Sequence, residues 1–86
     1  SNGDFPEDYK FFCFDGVPAL LYVNTSRSSG LRMTFFSPNW RKLDIERRDY
    51  PRALTPIAKP LHLQRMLALA RELSAGFSFL RVDFYD

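Results

Sequence analysis

The chain has 86 residues, of which 45% are hydrophobic and nine are phenylalanine, so it can form one small domain with its own core and is not disordered. Its net charge of +2 is small and mixed along the chain, which gives little support to a nucleic-acid or anionic-membrane partner. Cys13 is the single cysteine, which excludes an internal disulfide and a cysteine-based zinc site. Since no apolar run approaches the ~20 residues of a membrane span, a cytoplasmic protein without membrane contact is predicted.

The first predicted elements are two strands joined by a tight turn. Residues 9–14 form a nearly continuous aromatic run, which is typical of a strand buried on both faces. Asp15 and Gly16 tolerate the positive φ that hairpin turns require, and residues 19–23 supply the partner strand. Cys13 is expected to be a small core residue in the first strand.

The middle of the chain predicts one further strand and a long connection. Residues 24–30 predict a polar loop that contains Arg27, and residues 31–36 suit a third strand. From Trp40 to Pro60 no period holds, so an irregular segment is predicted, with a short helical turn near residues 42–47. A connection of about twenty residues in so small a domain often marks a functional loop.

The C-terminal part predicts a helix over residues 61–75, followed by a strand. Five apolar residues recur at helical spacing: Leu63, Met66, Leu67, Ala70 and Leu73. Gly76 is placed to end the helix in a left-handed conformation, and His62 is expected to be a surface residue rather than a metal ligand. The order of elements predicts an α+β fold, a mainly antiparallel sheet of about four strands with one amphipathic helix packed on one face.

The predicted strand at residues 77–86 has two chemically different faces. Alternation puts three apolar side chains on one face: Leu80, Val82 and Phe84. Arg81 and Asp83 fall on the reverse face, roughly 6.6 Å apart, where both could contact one polyanionic ligand or metal complex. An ordinary amphipathic edge strand, with its polar side in water, is the alternative.

A second charged pair has the same parity at the start of the first strand. If Asp8 and Lys10 face the same cleft as Arg81 and Asp83, two cations and two carboxylates converge. Such a cluster suits a phosphorylated ligand with Mg²⁺, a hard cation that takes oxygen ligands and keeps several waters. Salt-bridged or solvated strand ends are the alternative interpretation.

Several motifs of known chemistry are missing from the sequence, including glycine-rich phosphate loops, the zinc-protease helix motif and the serine nucleophile elbow. Aromatic strands interleaved with Lys and Arg imitate a platform for single-stranded nucleic acid. The phenylalanines crowd both faces of their strands, however, which favours a core, and no nucleic-acid partner is predicted.

Five features, taken in order, resemble the TupA-like (teichuronopeptide-biosynthesis-type) ATP-grasp family over essentially the whole chain. They are residues 8–16 (DYKFFCFDG), Arg27, Trp40, Lys59–Pro60 and residues 79–85 (FLRVDFY). Proteins of this family are often encoded with capsule and other cell-surface polysaccharide functions, and some are labelled glycosyltransferases. The resemblance implies that residues 1–86 are a single small domain, a fragment of an ATP-grasp catalytic domain.

The resemblance also implies ATP and Mg²⁺ as cofactors and a role for each matching residue. Arg81 would be catalytic, stabilising an acyl phosphate or tetrahedral species, and Asp83 would hold Mg²⁺. Lys10 and Asp8 would contact the nucleotide phosphates or the substrate, and Arg27 would contact the acceptor. Enzymes of this kind activate a carboxylate as an acyl phosphate, which an amine then attacks, so the implied partners are a nucleotide and a carboxylate, amine or glycan-linked substrate.

The family pattern also contains parts that these residues lack: a further strand whose Glu completes the metal site, and upstream segments that hold adenine and cover the phosphates. The chain alone is therefore expected to be inactive. A stand-alone, non-catalytic interaction module, whose sheet edges pair with a partner or with a second copy, is the alternative.

Overall fold

The described part of the computed structural model comprises residues 7–27 and 30–85, with the backbone alone at residues 26 and 27. Its elements in chain order are β1 (Asp8–Phe14), β2 (Val17–Arg27), β3 (Gly30–Phe36), α1 (Leu63–Ser74) and β4 (Phe79–Tyr85). The strands form an antiparallel sheet in the order β3-β2-β1-β4, and α1 packs against one face of it. The predicted α+β arrangement is confirmed. No helix in the described residues is long and apolar enough to cross a membrane.

The turn between β1 and β2 has the predicted position and conformation. Asp15 and Gly16 have φ values of 50° and 78°, as a two-residue turn with both central residues left-handed requires. The register then shifts between Phe12 and Cys13, so that β2 contains one extra residue. Pro18 lies beside this irregularity, and a β-bulge is one of the few places where a strand accommodates proline.

Strand β2 is longer than the sequence predicts, and the loop predicted at residues 24–30 is wrong for residues 24–27 and 30, while residues 28 and 29 lie outside the described residues. Residues 24–27 continue β2, and β3 starts at Gly30. Small polar residues favour loops locally, but here their backbone groups pair with β3, and Asn24 also lies opposite Asp8 of β1. Thr25 is almost completely buried as a result.

The connection between β3 and α1 lies along the outer edge of β3. Leu43 N–H donates to the Phe35 carbonyl at 2.9 Å, and Met33 N–H donates to the Pro51 carbonyl at 3.0 Å. The predicted helical turn near residues 42–47 is wrong, because this stretch is used for edge pairing, including a bridge between Lys42 and Phe36. The connection thus satisfies a β3 N–H group and a β3 carbonyl that an open edge would expose.

Trp40 anchors the same connection to the core. Its ring stacks on Phe36 with centroids 4.0 Å apart, and its Nε1–H donates to the Ile57 carbonyl at 3.2 Å. Trp40 has a φ of 66° and lies in the turn that brings the chain back alongside β3, where Lys42 bridges to Phe36. Trp40, near the start of the connection, and Ile57, near its end, therefore pack against the core on the helix side of the sheet.

Helix α1 buries one narrow stripe against β1, β2 and β4. The buried positions are Leu63, Leu67, Ala70 and Ser74. Leu73, predicted to belong to this stripe, is 56% exposed, because the small Ser74 occupies the last buried position instead. The Phe77 N–H donates to the Ser74 carbonyl, and φ values of −56° at Ala75 and 87° at Gly76 fit a type II turn after the helix.

The core between sheet and helix is centred on β1. Its buried members are Tyr9, Phe11, Cys13, Leu21, Val23, Phe36, Leu63, Leu67, Ala70 and Val82. Phe11 is completely buried and makes an edge-to-face contact with Phe84 at 5.4 Å. Cys13 is buried, as expected, and its Sγ lies 4.0 Å from the Ala70 carbonyl oxygen.

We expect Phe11→Ala to lower the free energy of unfolding by about 3–5 kcal/mol, because it removes buried area and leaves a cavity. Phe14→Ala on the same strand is the matched control, since Phe14 is 48% exposed and its loss should cost about 1 kcal/mol or less. Urea unfolding followed by circular dichroism measures both changes. Equal losses in the two variants would contradict the central position of Phe11.

Candidate functional site

The face of the sheet opposite α1 carries a group of four charged residues, the charged cluster, which comprises Asp8, Lys10, Arg81 and Asp83. Lys10 of β1 and Asp83 of β4 are direct partners across the two strands. Asp8 lies two residues before Lys10 on β1, and Arg81 lies two residues before Asp83 on β4. Both therefore face the same side of the sheet as the Lys10–Asp83 pair. The structure thus brings together four of the five residues that the sequence singles out.

Lys10 is the centre of this cluster. Its ammonium lies 3.1 Å from Asp8 Oδ2 and 2.9 Å from Asp83 Oδ2. Arg81 contacts Asp83 with two parallel hydrogen bonds, from Nε to Oδ1 at 3.0 Å and from Nη2 to Oδ2 at 3.1 Å. Asp83 is therefore shared by two cations, and the cluster as a whole is electrically balanced.

Burial decreases across the cluster from Lys10 to Arg81. The Lys10 side chain is 12% exposed and the Arg81 side chain 46% exposed, with Asp8 and Asp83 between them. The stem of Lys10 lies along the sheet while its ammonium is neutralised by two carboxylates. Arg81 is consequently the most exposed group of the cluster.

The ion pairs shift the pKa values of three members. Burial alone would raise the pKa of Asp83, but hydrogen bonds from Lys10 and Arg81 outweigh it and lower the pKa below its usual value. Burial would lower the pKa of Lys10, yet its bonds to Asp83 and Asp8 raise it. The hydrogen bond to Asp83 likewise raises the pKa of Arg81. All three groups stay charged over the physiological range.

Two residues of β2 complete the surroundings of the cluster, and the sequence did not point to either. Asn24 Nδ2 donates to Asp8 Oδ2 at 3.1 Å, and Tyr22 is the β2 partner of Lys10. Asn24 was placed in a loop by its composition, and only the register of β2 against β1 brings it opposite Asp8. For Arg27 the structure describes only the backbone, which pairs with Gly30, so its predicted contact with an acceptor stays a prediction.

Aromatic rings border the cluster on the same face. Phe79 lies 6.1 Å from Phe12 and 5.2 Å from Phe14 between ring centroids, and both Phe79 and Phe14 are 48% exposed. Tyr85, at the other end of β4, is 72% exposed. The open face therefore combines a balanced charged group with a half-exposed aromatic surface.

The described residues do not by themselves form a Mg²⁺ site. Magnesium needs several oxygen ligands in near-octahedral geometry, and the described residues contain no group of three or more metal-binding side chains. The ammonium of Lys10 occupies the position between the Asp8 and Asp83 carboxylates that a cation would take. Both oxygens of Asp83 are also engaged by Arg81 and Lys10.

Asp83 gives the free energy of unfolding a defined dependence on pH. Because its folded pKa is depressed, its ion pairs stabilise the protein above the unfolded pKa of about 3.9 and this contribution is lost as the pH falls through the lower folded value. We expect Asp83→Asn to be less stable at neutral pH and to lose less stability between about pH 6 and pH 2. Urea unfolding at a series of pH values measures the difference.

Asp49→Asn is the matched control for this experiment. Arg47 and Asp49 form the same bidentate contact at the same spacing, with bonds of 3.2 and 3.1 Å, but in the exposed connection and without a lysine. This variant should keep the wild-type steepness of the acid transition. Identical profiles for Asp83→Asn and wild type would show that the charged cluster does not stabilise the fold.

The comparisons with known proteins give one match, to a protein family. A protein-family profile described as TupA-like ATPgrasp matches residues 2–86. No curated protein and no solved structure gives a match. The profile covers the charged cluster, the aromatic surface and the connection, and the α+β fold is consistent with it. The chain belongs to the TupA-like ATP-grasp family.

Proposed function

We propose that this chain supplies the phosphate-contacting strand pair of an ATP-grasp ligase-like centre in cytoplasmic biosynthesis of cell-surface polysaccharides. The observation that carries the proposal is the joint orientation of Arg81 and Lys10 by Asp83 on the open face of the sheet. The family uses ATP and Mg²⁺ in general. Two positively charged side chains held in fixed positions are suited to bind negatively charged phosphoryl oxygens.

In the proposed reaction a carboxylate attacks the γ-phosphorus of ATP and forms an acyl phosphate with release of ADP. An amine then attacks the acyl carbon, forming an amide and releasing phosphate. Negative charge develops on non-bridging oxygens in both steps, and Arg81 is the exposed donor that would stabilise it. Lys10 adds a second positive charge, and Asp83 acts as the positioning residue that holds both cations in place.

We also propose that these residues hold only part of the catalytic centre. The cluster is already electrically balanced, each of its two carboxylates forms an ion pair, and the neighbouring rings of Phe14 and Phe79 are half exposed. The proposed metal role of Asp83 and the proposed acceptor role of Arg27 both require further groups. On this basis the chain alone is inactive.

A stand-alone interaction module is the second candidate, and one observation favours it. In the described sheet β4 is an edge strand, with β1 on one side and no described strand on the other. The opposite edge, at β3, is covered by the connection. The outer edge of β4 is therefore the place where a partner strand or a second copy would pair.

We expect the 86-residue chain to form no ADP from ATP and Mg²⁺ above the buffer blank. In the product of the full reading frame, Arg81→Ala should reduce ATP-dependent ADP formation by about 10²–10³-fold, as the loss of one oxyanion donor does elsewhere. Arg47→Ala is the control, because it removes an arginine from an equivalent Arg–Asp pair outside the cluster. Equal activity of the two variants, or ligation by the 86-residue chain, would overturn the proposal.

The interaction module predicts a different result. If β4 pairs with a second copy, sedimentation of the 86-residue chain should show a dimer whose population rises with concentration. Replacing Val82, a buried residue, would destabilise the core, so Tyr85→Pro is the appropriate variant, since it makes the exposed end of β4 a poor pairing edge. A concentration-independent monomer would exclude pairing between copies.

A further inference from the structure

A cleft lies on the helix side of the sheet, where β2 and β3 meet the connection. It has a volume of about 410 Å³, within the range of small-molecule sites. Its polar lining comes from Glu7, Thr25, Arg32 and Thr55, and its apolar wall comes from the connection. Thr25 and Arg32 are direct partners across β2 and β3, so they share the face opposite the charged cluster. The sheet thus separates this cleft from Arg81.

Arg32 is the unusual residue of this cleft. Its guanidinium donates from Nη1 to the Arg52 carbonyl at 3.0 Å, but it forms no ion pair with any described carboxylate. Its Nε is buried and has no hydrogen-bond partner among the described residues. Half-buried arginines are normally neutralised, because a charge removed from water without a counter-ion is costly. Arg52, which is also half-buried, is neutralised by Asp44 at 3.1 Å, and the more exposed Arg47 and Arg81 each pair with an aspartate.

The part of the cleft formed by the connection is mostly apolar, and this favours an anion that also has an apolar part. Leu54 is 80% exposed at the rim of the cleft, and Ile57 is packed against the core. The connection that carries them is fixed, since Ala53 N–H donates to Thr34 Oγ1 at 2.9 Å and Trp40 Nε1–H donates to the Ile57 carbonyl. A ligand in this cleft therefore meets the Arg32 cation at the sheet and an apolar surface at the connection, with the Glu7 carboxylate also in the lining.

We propose that this cleft binds a small organic carboxylate, with the carboxylate paired with Arg32 and the apolar part lying against Leu54 and Ile57. A carboxylate matches the planar fork of a guanidinium and supplies the counter-charge that no described residue places within ion-pair distance of Arg32. The hydroxyl of Thr25, on the partner strand, is within the same lining and can donate to the same anion. The site is for binding rather than reaction, because the charged cluster is on the other face.

The proposal is tested on the full chain by NMR, with ¹⁵N-labelled protein titrated with sodium butyrate at constant ionic strength. We expect saturable shifts at residues 25, 32 and 53–58, with a dissociation constant on the order of 1 mM, and no comparable shifts in the charged cluster. Arg32→Gln should weaken binding by at least about tenfold, since it removes a charged hydrogen-bond donor. Arg52→Gln is the matched control, because Arg52 contributes only its carbonyl to Arg32.

A second variant and a second ligand test the same site independently of Arg32→Gln. Leu54→Glu adds a carboxylate at the exposed rim and should weaken butyrate binding several-fold without unfolding the protein, so it tests the site even if Arg32→Gln does not fold. Inorganic phosphate lacks an apolar part and should bind more weakly than butyrate. The proposal is overturned by absence of saturable shifts in the cleft, by unchanged affinity in both variants, or by phosphate binding as tightly as butyrate.

Discussion

The pairing of β1 with a neighbour on each side is the constraint on which both the core and the charged cluster depend. Alternation along β1 directs Tyr9, Phe11 and Cys13 toward α1, and it directs Asp8 and Lys10 to the opposite face. A slip of one residue against either neighbour would exchange the two sets. Lys10 would then be buried beneath the helix without a carboxylate, while Phe11 would be exposed, so one register satisfies the apolar and the charged requirements together.

Two local features at the same end of the sheet set that register. The Asp15–Gly16 turn fixes the first pairs of β1 and β2, and the turn is joined to the start of β4 by a hydrogen bond from Asp15 N–H to the Ser78 carbonyl at 3.1 Å. A Cβ at Gly16 would lie 3.6 Å from the Cα of Ala75, which shows how closely the two turns approach. The helix end, the hairpin turn and β4 are thereby aligned before the strands reach the charged cluster.

The sequence alone predicts which side chains share a face of a strand, but it does not predict which residues pair across neighbouring strands. Alternation alone separated Arg81 and Asp83 from Leu80, Val82 and Phe84, and the structure places them on those faces. The partner of Asp8 depended instead on the extra residue in β2. A regular hairpin closed at Asp15–Gly16 would place Val23 opposite Asp8, whereas the bulge places Asn24 there. Pro18 hints at such an irregularity, but its position is decided by packing.

The other wrong predictions have the same cause: pairing with distant strands decides the conformation of these segments, rather than the local preference of their residues. Residues 24–27 have loop composition, yet all four pair with β3, and Asn24 also pairs with Asp8 of β1. Residues 42–47 have no strong helical pattern and cover the open edge of β3 instead. Arg32 drew no attention in the sequence, because an arginine in a strand is ordinarily paired or solvated. Arg32 differs from the paired arginines only because no described carboxylate lies beside it, which the sequence does not reveal.

The two faces of the sheet differ in what they offer an anion. At the charged cluster the positive charges of Lys10 and Arg81 are already compensated, so a simple anion would have to displace Asp83 from both of them. Such an exchange is favourable only for a ligand with several negative oxygens, which suits a polyphosphate better than a single carboxylate. At Arg32 no described carboxylate has to be displaced, and the apolar wall adds contact area. Charge compensation, rather than the number of cations, therefore separates a site for phosphoryl groups from a site for a small organic acid.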